Sequence, residues 1–388
     1  MSTLKVSSIQ NPSTSSGGVS IDTSGHVTVD GVAMPSSGPL SNRNKIINGD
    51  MRIDQRNAGA SVTGNNAVYT IDRWVIAASQ NSKLTVQQNA GSVTPPAGFV
   101  NYLGITSSSA YAVPAGELFN VCQFIEGFNT ADLAWGTANA RSVVLSFWVR
   151  SSLTGTFGGA LTNNAQDRSY PFSYSISSAN TWEQKTIAVA GDTTGTWLTN
   201  NSSGIKLWFG LGVGSTNSGT AGAWAAAQYL SATGATSVVG TNGATFYITG
   251  VQLEVGSVAT PFEHRSYGDE LARCQRYYQQ SNPLVAASAL YNTDAGKVYY
   301  TGWNYSGSNG VAGPVRLPVV MRSAPTVSTY VAQGQTTTAA KVNLYQSGWT
   351  TADASIEGVG AQSFNVNNSG GVGGNTLIIF HYTASAEL

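Results

Sequence analysis

Short apolar runs, each cut off after a few residues by glycine, asparagine, serine or threonine, fill residues 44–265. Arg73–Ala77, Val143–Arg150, Lys185–Val189, Ile205–Leu211 and Thr245–Leu253 are the clearest. Evenly spaced short strands with turn punctuation build a sandwich or jelly roll rather than a helical bundle. In Val143–Arg150, Phe147 and Val149 should face one side and Trp148 the other, because side chains alternate along a strand. The 44 glycines reinforce the all-β reading, and nine tryptophans set the chain apart from disordered, low-complexity sequences. With 388 residues there is enough chain for two or three domains with real cores.

Residues 1–43 read as an arm with a linker. Val19–Gly31 alternates apolar and polar residues on either side of Thr23-Ser-Gly25, a hairpin pattern. A lone hairpin buries too little to stand in water, so the arm should pair with other copies or a docking partner. Pro35–Pro39 marks the linker. Residues 266–282 read as a short helical connector. Ser266 and Asp269 resemble a capping box, and Tyr267, Leu271, Cys274 and Tyr278 form a narrow seam. That seam either packs on the chain's own jelly roll or joins three copies. Residues 283–388 form a second β region, a C-terminal β-sandwich head with strand candidates at 298–303, 315–320, 341–345 and 376–382.

Three stretches carry a resemblance. They are Asn44–Asp50 (Asn-Lys-Ile-Ile-Asn-Gly-Asp), Tyr69–Trp74 (Tyr-Thr-Ile-Asp-Arg-Trp) and Ile248–Glu263. Together they resemble the opening and closing strands of the carbohydrate-binding-module-like jelly roll of bacteriophage tail-fibre proteins. Val143–Gly159 fits the same family, Met321–Pro325 resembles a segment of their C-terminal heads, and Ser385–Leu388 looks like the end of many such subunits. The resemblance implies a jelly roll over 44–265 and a homotrimeric fibre in the virion, assembled in the host cytoplasm. It also implies an N-terminal arm that docks to other tail or baseplate proteins and a C-terminal head that meets a host envelope glycan.

Composition narrows the partners. Nineteen basic residues balance nineteen acidic ones and neither sign forms a run, so the concentrated basic face that nucleic acid requires is missing. A charged fraction of 10% also favours a neutral, polar ligand over a steered ionic one. No apolar stretch approaches the ~20 residues of a membrane helix, and the first residues lack the pattern of a signal peptide. The sequons at Asn200 and Asn201 therefore have no secretory context. Cys122 and Cys274, far apart and outside any Cys-x-x-Cys spacing, read as buried thiols.

Catalytic chemistry is hard to assemble from these residues. His26, His264 and His381 are the only histidines, and no Gly-x-Ser-x-Gly elbow, Walker loop or dinucleotide fingerprint occurs. Gly210–Gly214 reads as a turn or bulge. Zinc lacks ligands, no cofactor is implied, and Asp72 and Glu254 are the carboxylates a structural calcium ion would use. A glycan-cleaving carboxylate pair cannot be seen in spacing, and the long repeats of depolymerising spikes are missing. The expectation is a non-enzymatic binder. Exposed aromatics beside amides suit sugars, which makes Trp303, Tyr305 and Trp349 the candidate ligand-binding residues, with Tyr299, Tyr300, Asn304, Asn309 and Gln346 around them. Trp148, Trp182 and Trp197 read as core or interface. A decoration or baseplate protein without a receptor and a glycan-degrading spike are the other two readings.

Overall fold

The structure is a computed structural model that describes residues 8–10, 18–23, 25–35, 41–305, 309–332, 339–345, 347–368 and 376–388. Two compact units emerge. One comprises Met1–Arg52, Thr63–Val68 and Val75–Arg265, the other Ile53–Val62, Tyr69–Trp74 and Ser266–Leu388. Two short segments from within the expected 44–265 domain, Ile53–Val62 and Tyr69–Trp74, thus group with the C-terminal residues.

The first unit is a β-sandwich with jelly-roll connectivity. One antiparallel sheet runs in the order Ser169–Ile176, Gly155–Thr162, Ser203–Val213, Leu118–Glu126, Trp74–Ala78. The other runs Glu183–Val189, Val143–Ser151, Thr245–Val255, Leu103–Ser107, Leu84–Gln88. Phe147 and Val149 are buried and Trp148 is half-buried, as alternation requires. Phe147 meets Phe209 and Tyr174 edge-on, each with ring centroids 5.0 Å away.

The opening and closing stretches form one latch. Asn44 donates from Nδ2 to the Val251 carbonyl and accepts from the Ile46 and Leu253 amides through Oδ1. Lys45 N–H donates to Leu253 and Val251 N–H to the Gly49 carbonyl. A Cβ on Gly49 would sit 2.2 Å from the Val251 oxygen, so only glycine allows that approach. Glu263 accepts from the Arg43 and Asn44 amides, and Arg265 donates to the Ile46 carbonyl. The residues that carry the resemblance here are therefore structural.

The arm's strands, Ser8–Ile9, Val19–Ile21, Val27–Val29 and Val32–Ala33, form a small antiparallel sheet, with the expected hairpin at its centre. Cross-strand partners share a face. The register Ile9–Val19–Val29–Val32, with Ile21 opposite Val27, therefore places these apolar residues on one side and Ser8, Ser20, Thr28 and Ala33 on the other. His26 bridges Asp22 and the Ser257 hydroxyl, each at 2.9 Å. Most of the expected 35–39 linker lies outside the described residues.

In the second unit the long strand Thr376–Ser385 is the organiser. It pairs with Val298–Tyr305 on one side and Lys341–Tyr345 on the other. Asn309–Arg316, Ser363–Asn368 and Trp349–Glu357 connect those two through further antiparallel ladders, so the sheet curls around one core. Val315, Val342, Leu344, Phe364, Ile378 and Phe380 lie in that core. Tyr278–Gln280 and Thr326–Val331 add to the far half of the same strand.

The helix spans Tyr267–Gln275, and the Ser266 hydroxyl accepts from the Asp269 amide as the capping pattern requires. The seam is corrected. Tyr278 lies beyond the helix in a strand, and Tyr267 is half exposed. Within the helix the buried side chains are Glu270 and Cys274, at i and i+4, and Tyr277 is buried just beyond its end.

Charges explain the segment exchange. The Glu387 carboxylate is held by Arg56 at 2.7 Å and by Arg73, which is almost fully buried. The two guanidiniums also lie over the Tyr278 and Tyr277 rings, at 3.7 and 3.6 Å. Asp72 accepts from the Gln55 amide and from its side-chain Nε2, and that same Nε2 donates to the Tyr278 carbonyl. Arg73 this deep in the head needs a counter-charge from it, which Glu387 supplies, while Gln55 ties Asp72 to the Tyr278 carbonyl.

Burial pushes the Asp72 carboxyl up to about 7, against Arg56 and the Gln55 hydrogen bonds. Between about pH 4 and 7 the folded head therefore holds a proton that the unfolded chain has released, and this group's contribution to stability falls as pH rises through that window. His381 acts oppositely: burial lowers its pKa, so its contribution is lost as pH falls below its ordinary 6.5. Replacing Asp72 with Asn isolates the first effect. The stability advantage of the parent over Asp72→Asn, measured by urea unfolding, should shrink from about pH 5 to about pH 8; a pH-independent difference would contradict the raised carboxyl.

Candidate functional site

Among the described residues, two gatherings of Trp and Tyr rings near the surface bear on ligand binding. In the sandwich, Trp135, Trp197 and Trp224 meet edge-on with centroids 4.7 to 5.4 Å apart, and Tyr170 packs on Trp224 at 5.2 Å. All three indole N–H groups donate to backbone carbonyls, of Arg141, Thr194 and Ala190. The cavity beside them, lined by Leu133, Trp135, Trp197 and Ile205, measures about 20 Å³, room for about one water and not for a sugar ring. This cluster pins loops. Trp182 does the same, donating to the Thr94 carbonyl and packing on Tyr102. Trp148 abuts Gly250, whose φ of +62° at a bulge suits glycine.

The other place is the outer face of the head. Tyr345 and Trp349 are direct cross-strand partners at the connection between Lys341–Tyr345 and Trp349–Glu357. Their rings lie 4.9 Å apart, and both side chains are over two-fifths exposed, at 42% and 44%. Registers carry that face across the sheet, since Tyr345 opposes Leu377, which opposes Thr301. Tyr299, 54% exposed, opposes Ile379 on the same side. Sheet spacings put roughly 12 Å between Tyr299 and Tyr345. Thr301 and Thr351 add hydroxyls on the same side and are exposed. Lys341 and Asp353 form an ion pair beside them, so the local charge cancels.

Of the expected ligand-binding residues, Trp349 is on this face. Trp303 and Tyr305 continue the strand Val298–Tyr305, opposite Val311 and Asn309, and their side chains, like those of Asn304 and Asn309, lie outside the described residues, as does Gln346. Tyr300 points the other way, packing on the core with its hydroxyl donating to the Pro314 carbonyl at 2.6 Å. Tyr345 was missed by sequence reasoning. The signal available was its spacing from Trp349, which suits a tight hairpin with facing ends.

The histidines hold structure together. His264 is exposed and tilts against Phe99 and Phe262 at 5.3 and 4.9 Å. His381 is buried, with Nδ1 2.7 Å from the Ser281 hydroxyl and Nε2 3.1 Å from the Thr293 carbonyl. Ser281 also accepts from the Tyr382 amide. Among the described residues no carboxylate hydrogen-bonds the ring, whose two nitrogens are taken by Ser281 and the Thr293 carbonyl. Both thiols are free and buried, and burial raises both pKa values, which keeps them protonated and inert. Asp72 and Glu254 are in different units. Glu254 accepts from the Thr260 amide and hydroxyl and from Gln252. Among the described residues no three His, Cys, Asp or Glu side chains gather in a metal-binding group.

No family model matches the chain, and no curated protein matches it. Several solved structures are similar to part of it. The enzymatically active domain of tailspike protein 4 of bacteriophage CBA120 shares 14% identity over 55% of this chain and 21% of its own, with a TM-score of 0.31. A putative sugar binding protein from Bacteroides thetaiotaomicron shares 13% over 55% of this chain and 100% of its own, at 0.33. A family 11 carbohydrate-binding module from Clostridium thermocellum, in complex with a mixed-linked tetrasaccharide, shares 9% over 53% and 98%, at 0.25. This chain thus spans about a fifth of the tailspike domain's length.

The two aromatic sites differ in what they do for stability. Trp135→Ala should cost the sandwich about 3–5 kcal/mol, as for other buried large aromatics, whereas Trp349→Ala should cost the head less than about 1 kcal/mol. Denaturant unfolding of both variants checks this, and a large loss in Trp349→Ala would mean that its ring is packing rather than presenting a surface.

Proposed function

We propose that this chain is a non-catalytic, glycan-binding structural subunit of a bacteriophage tail fibre, with the head as its binding end. The observation that carries the glycan reading is the Tyr345–Trp349 pair: two large rings exposed side by side on a charge-neutral face with hydroxyls around them. Aromatic faces stack on the apolar side of sugar rings, and neutral hydroxyls and amides match their hydroxyl pattern. The resemblance of Asn44–Asp50 and Ile248–Glu263 to tail-fibre jelly rolls supports the virion assignment, and with it docking through the arm to tail or baseplate proteins.

Self-association as a homotrimer belongs to the same reading. The arm's apolar face, with Ile9, Ile21, Val29 and Val32 exposed, is larger than so small a sheet can keep in water by itself, and a second and third copy would cover it. Light scattering after size exclusion should give a mass near three times 40.3 kDa for the intact chain, and removal of residues 1–35 should lower it. A monomeric intact chain would count against the trimer.

Soluble neutral envelope polysaccharide separates the functional readings. A binder retains it, a glycan-degrading spike shortens it, and a decoration protein ignores it. The parent chain should retain it unshortened, and Trp349→Ala or Tyr345→Ala should weaken retention roughly three- to tenfold, the worth of one lost aromatic contact. Full retention by both variants would remove this pair as the site.

A further inference from the structure

Where Asn309–Arg316 runs beside Ser363–Asn368, the ladder breaks. The register shifts between Ala312 and Val315, as it must, because Pro314 has no N–H to contribute. Pairing resumes at Val315–Phe364 and Arg316–Ser363. Past the strand, Leu317 N–H donates to the Gln362 carbonyl at 2.8 Å and Met321 N–H to the Ala361 carbonyl at 2.9 Å. The intervening Pro318–Val320 segment is tied at both ends, and between them the Val319 carbonyl accepts from Gln279 Nε2 at 2.5 Å. The Pro314 carbonyl is fixed by the Tyr300 hydroxyl. These constraints leave a groove of about 490 Å³, with Arg316, Gln362 and Ser363 as polar lining and Pro314, Pro318 and Val320 as apolar lining. That volume is in the range of small-molecule sites.

Arg316 is the unusual member. The head's other described cations are answered: Arg56 and Arg73 by Glu387, Lys297 by Asp294, Lys341 by Asp353, and Arg322 by the Ala386 and Glu387 carbonyls. Arg273 and Arg276 also have partners. Arg316 is exposed, and among the described residues its guanidinium has no hydrogen bond or ion pair. Among the described residues it is also the only charged one lining the groove.

We infer that this groove is a second saccharide site, selective for an acidic sugar that carries a carboxylate or a phosphate. The guanidinium fork matches either oxyanion in a bidentate contact. Gln362 and Ser363 complete a polar wall for ring hydroxyls, and the proline rings and Val320 offer an apolar floor for the sugar's C–H face. None of the residues of the neutral aromatic face takes part, so the site stands whether or not that face binds.

Titration calorimetry on the full chain tests this with three probes: an oligoglucuronate, a sugar phosphate and a neutral glucan oligosaccharide. At least one acidic probe should bind about tenfold or more tightly than the neutral one, and added salt should weaken it. Arg316→Gln should lose about tenfold for that probe, while Arg316→Lys, which keeps the charge but not the fork, should lose less. Whichever acidic probe binds identifies the source of the oxyanion. Arg316 is exposed and unpaired, so the variants should fold, which near-ultraviolet circular dichroism verifies. Trp349→Ala should leave acidic-probe affinity unchanged, so the two sites fail separately. The proposal is overturned if neither acidic probe binds, if the neutral probe binds as well, or if Arg316→Gln binds like the parent.

Discussion

The Glu387 carboxylate, held between Arg56 and Arg73, is the contact on which the head depends. It joins the end of the chain to segments more than three hundred residues earlier. Two guanidiniums this buried would be very costly without a counter-charge, and the acid would be costly without them. The tyrosine faces beneath both arginines and the hydrogen bond from Tyr69 to the Leu388 carbonyl complete the same knot. Because Thr376–Ser385 leads directly into it, the strand that pairs on both sides of the curled sheet is anchored at its C-terminal end. The core residues Ile378, Phe380 and Tyr382 are set from that anchor.

The sandwich solves its own closure with neutral hydrogen bonds. Asn44 occupies three backbone groups at once, and Gly49 permits the chain to lie against the Thr245–Val255 strand. These are demanding geometries, so the stretches that look most distinctive in the sequence turn out to be fastenings. The proposed ligand surfaces lie elsewhere, on residues that carry little structural duty. Tyr345 and Trp349 are exposed partners at a hairpin end, and Arg316 faces a groove opened by a proline.

Much of this was legible from residues alone. Phe147, Trp148 and Val149 alternate as read, the hairpin at Val19–Val29 forms, and Ser266 caps its helix, since each depends on neighbours within a few residues. The strand Trp349–Glu357 escaped notice because its apolar stripe, Ala352, Ala354 and Ile356, is mostly alanine and is interleaved with polar, exposed residues. The helix seam was drawn too long because Tyr278 suits a helix seam in composition and was taken by a strand. Trp349 could be named as a candidate from its type and surroundings, but its pairing with Tyr345 across a ladder, and its exposure, could not.

By itself, then, the sequence determined the all-β class, the positions of many strands and turns, the neutral charge balance and the shortage of catalytic side chains. Those are properties of local pattern and composition. Only the tertiary structure decided that Asp72 and Arg73 belong with the C-terminal head, that Glu387 is the counter-group of Arg73, which aromatics stay exposed, and that Arg316 has no partner among the described residues. These depend on ladders and ion pairs between residues far apart in the chain, whose register is chosen by burying the whole apolar set at once, and no window of sequence contains both sides of such a pair.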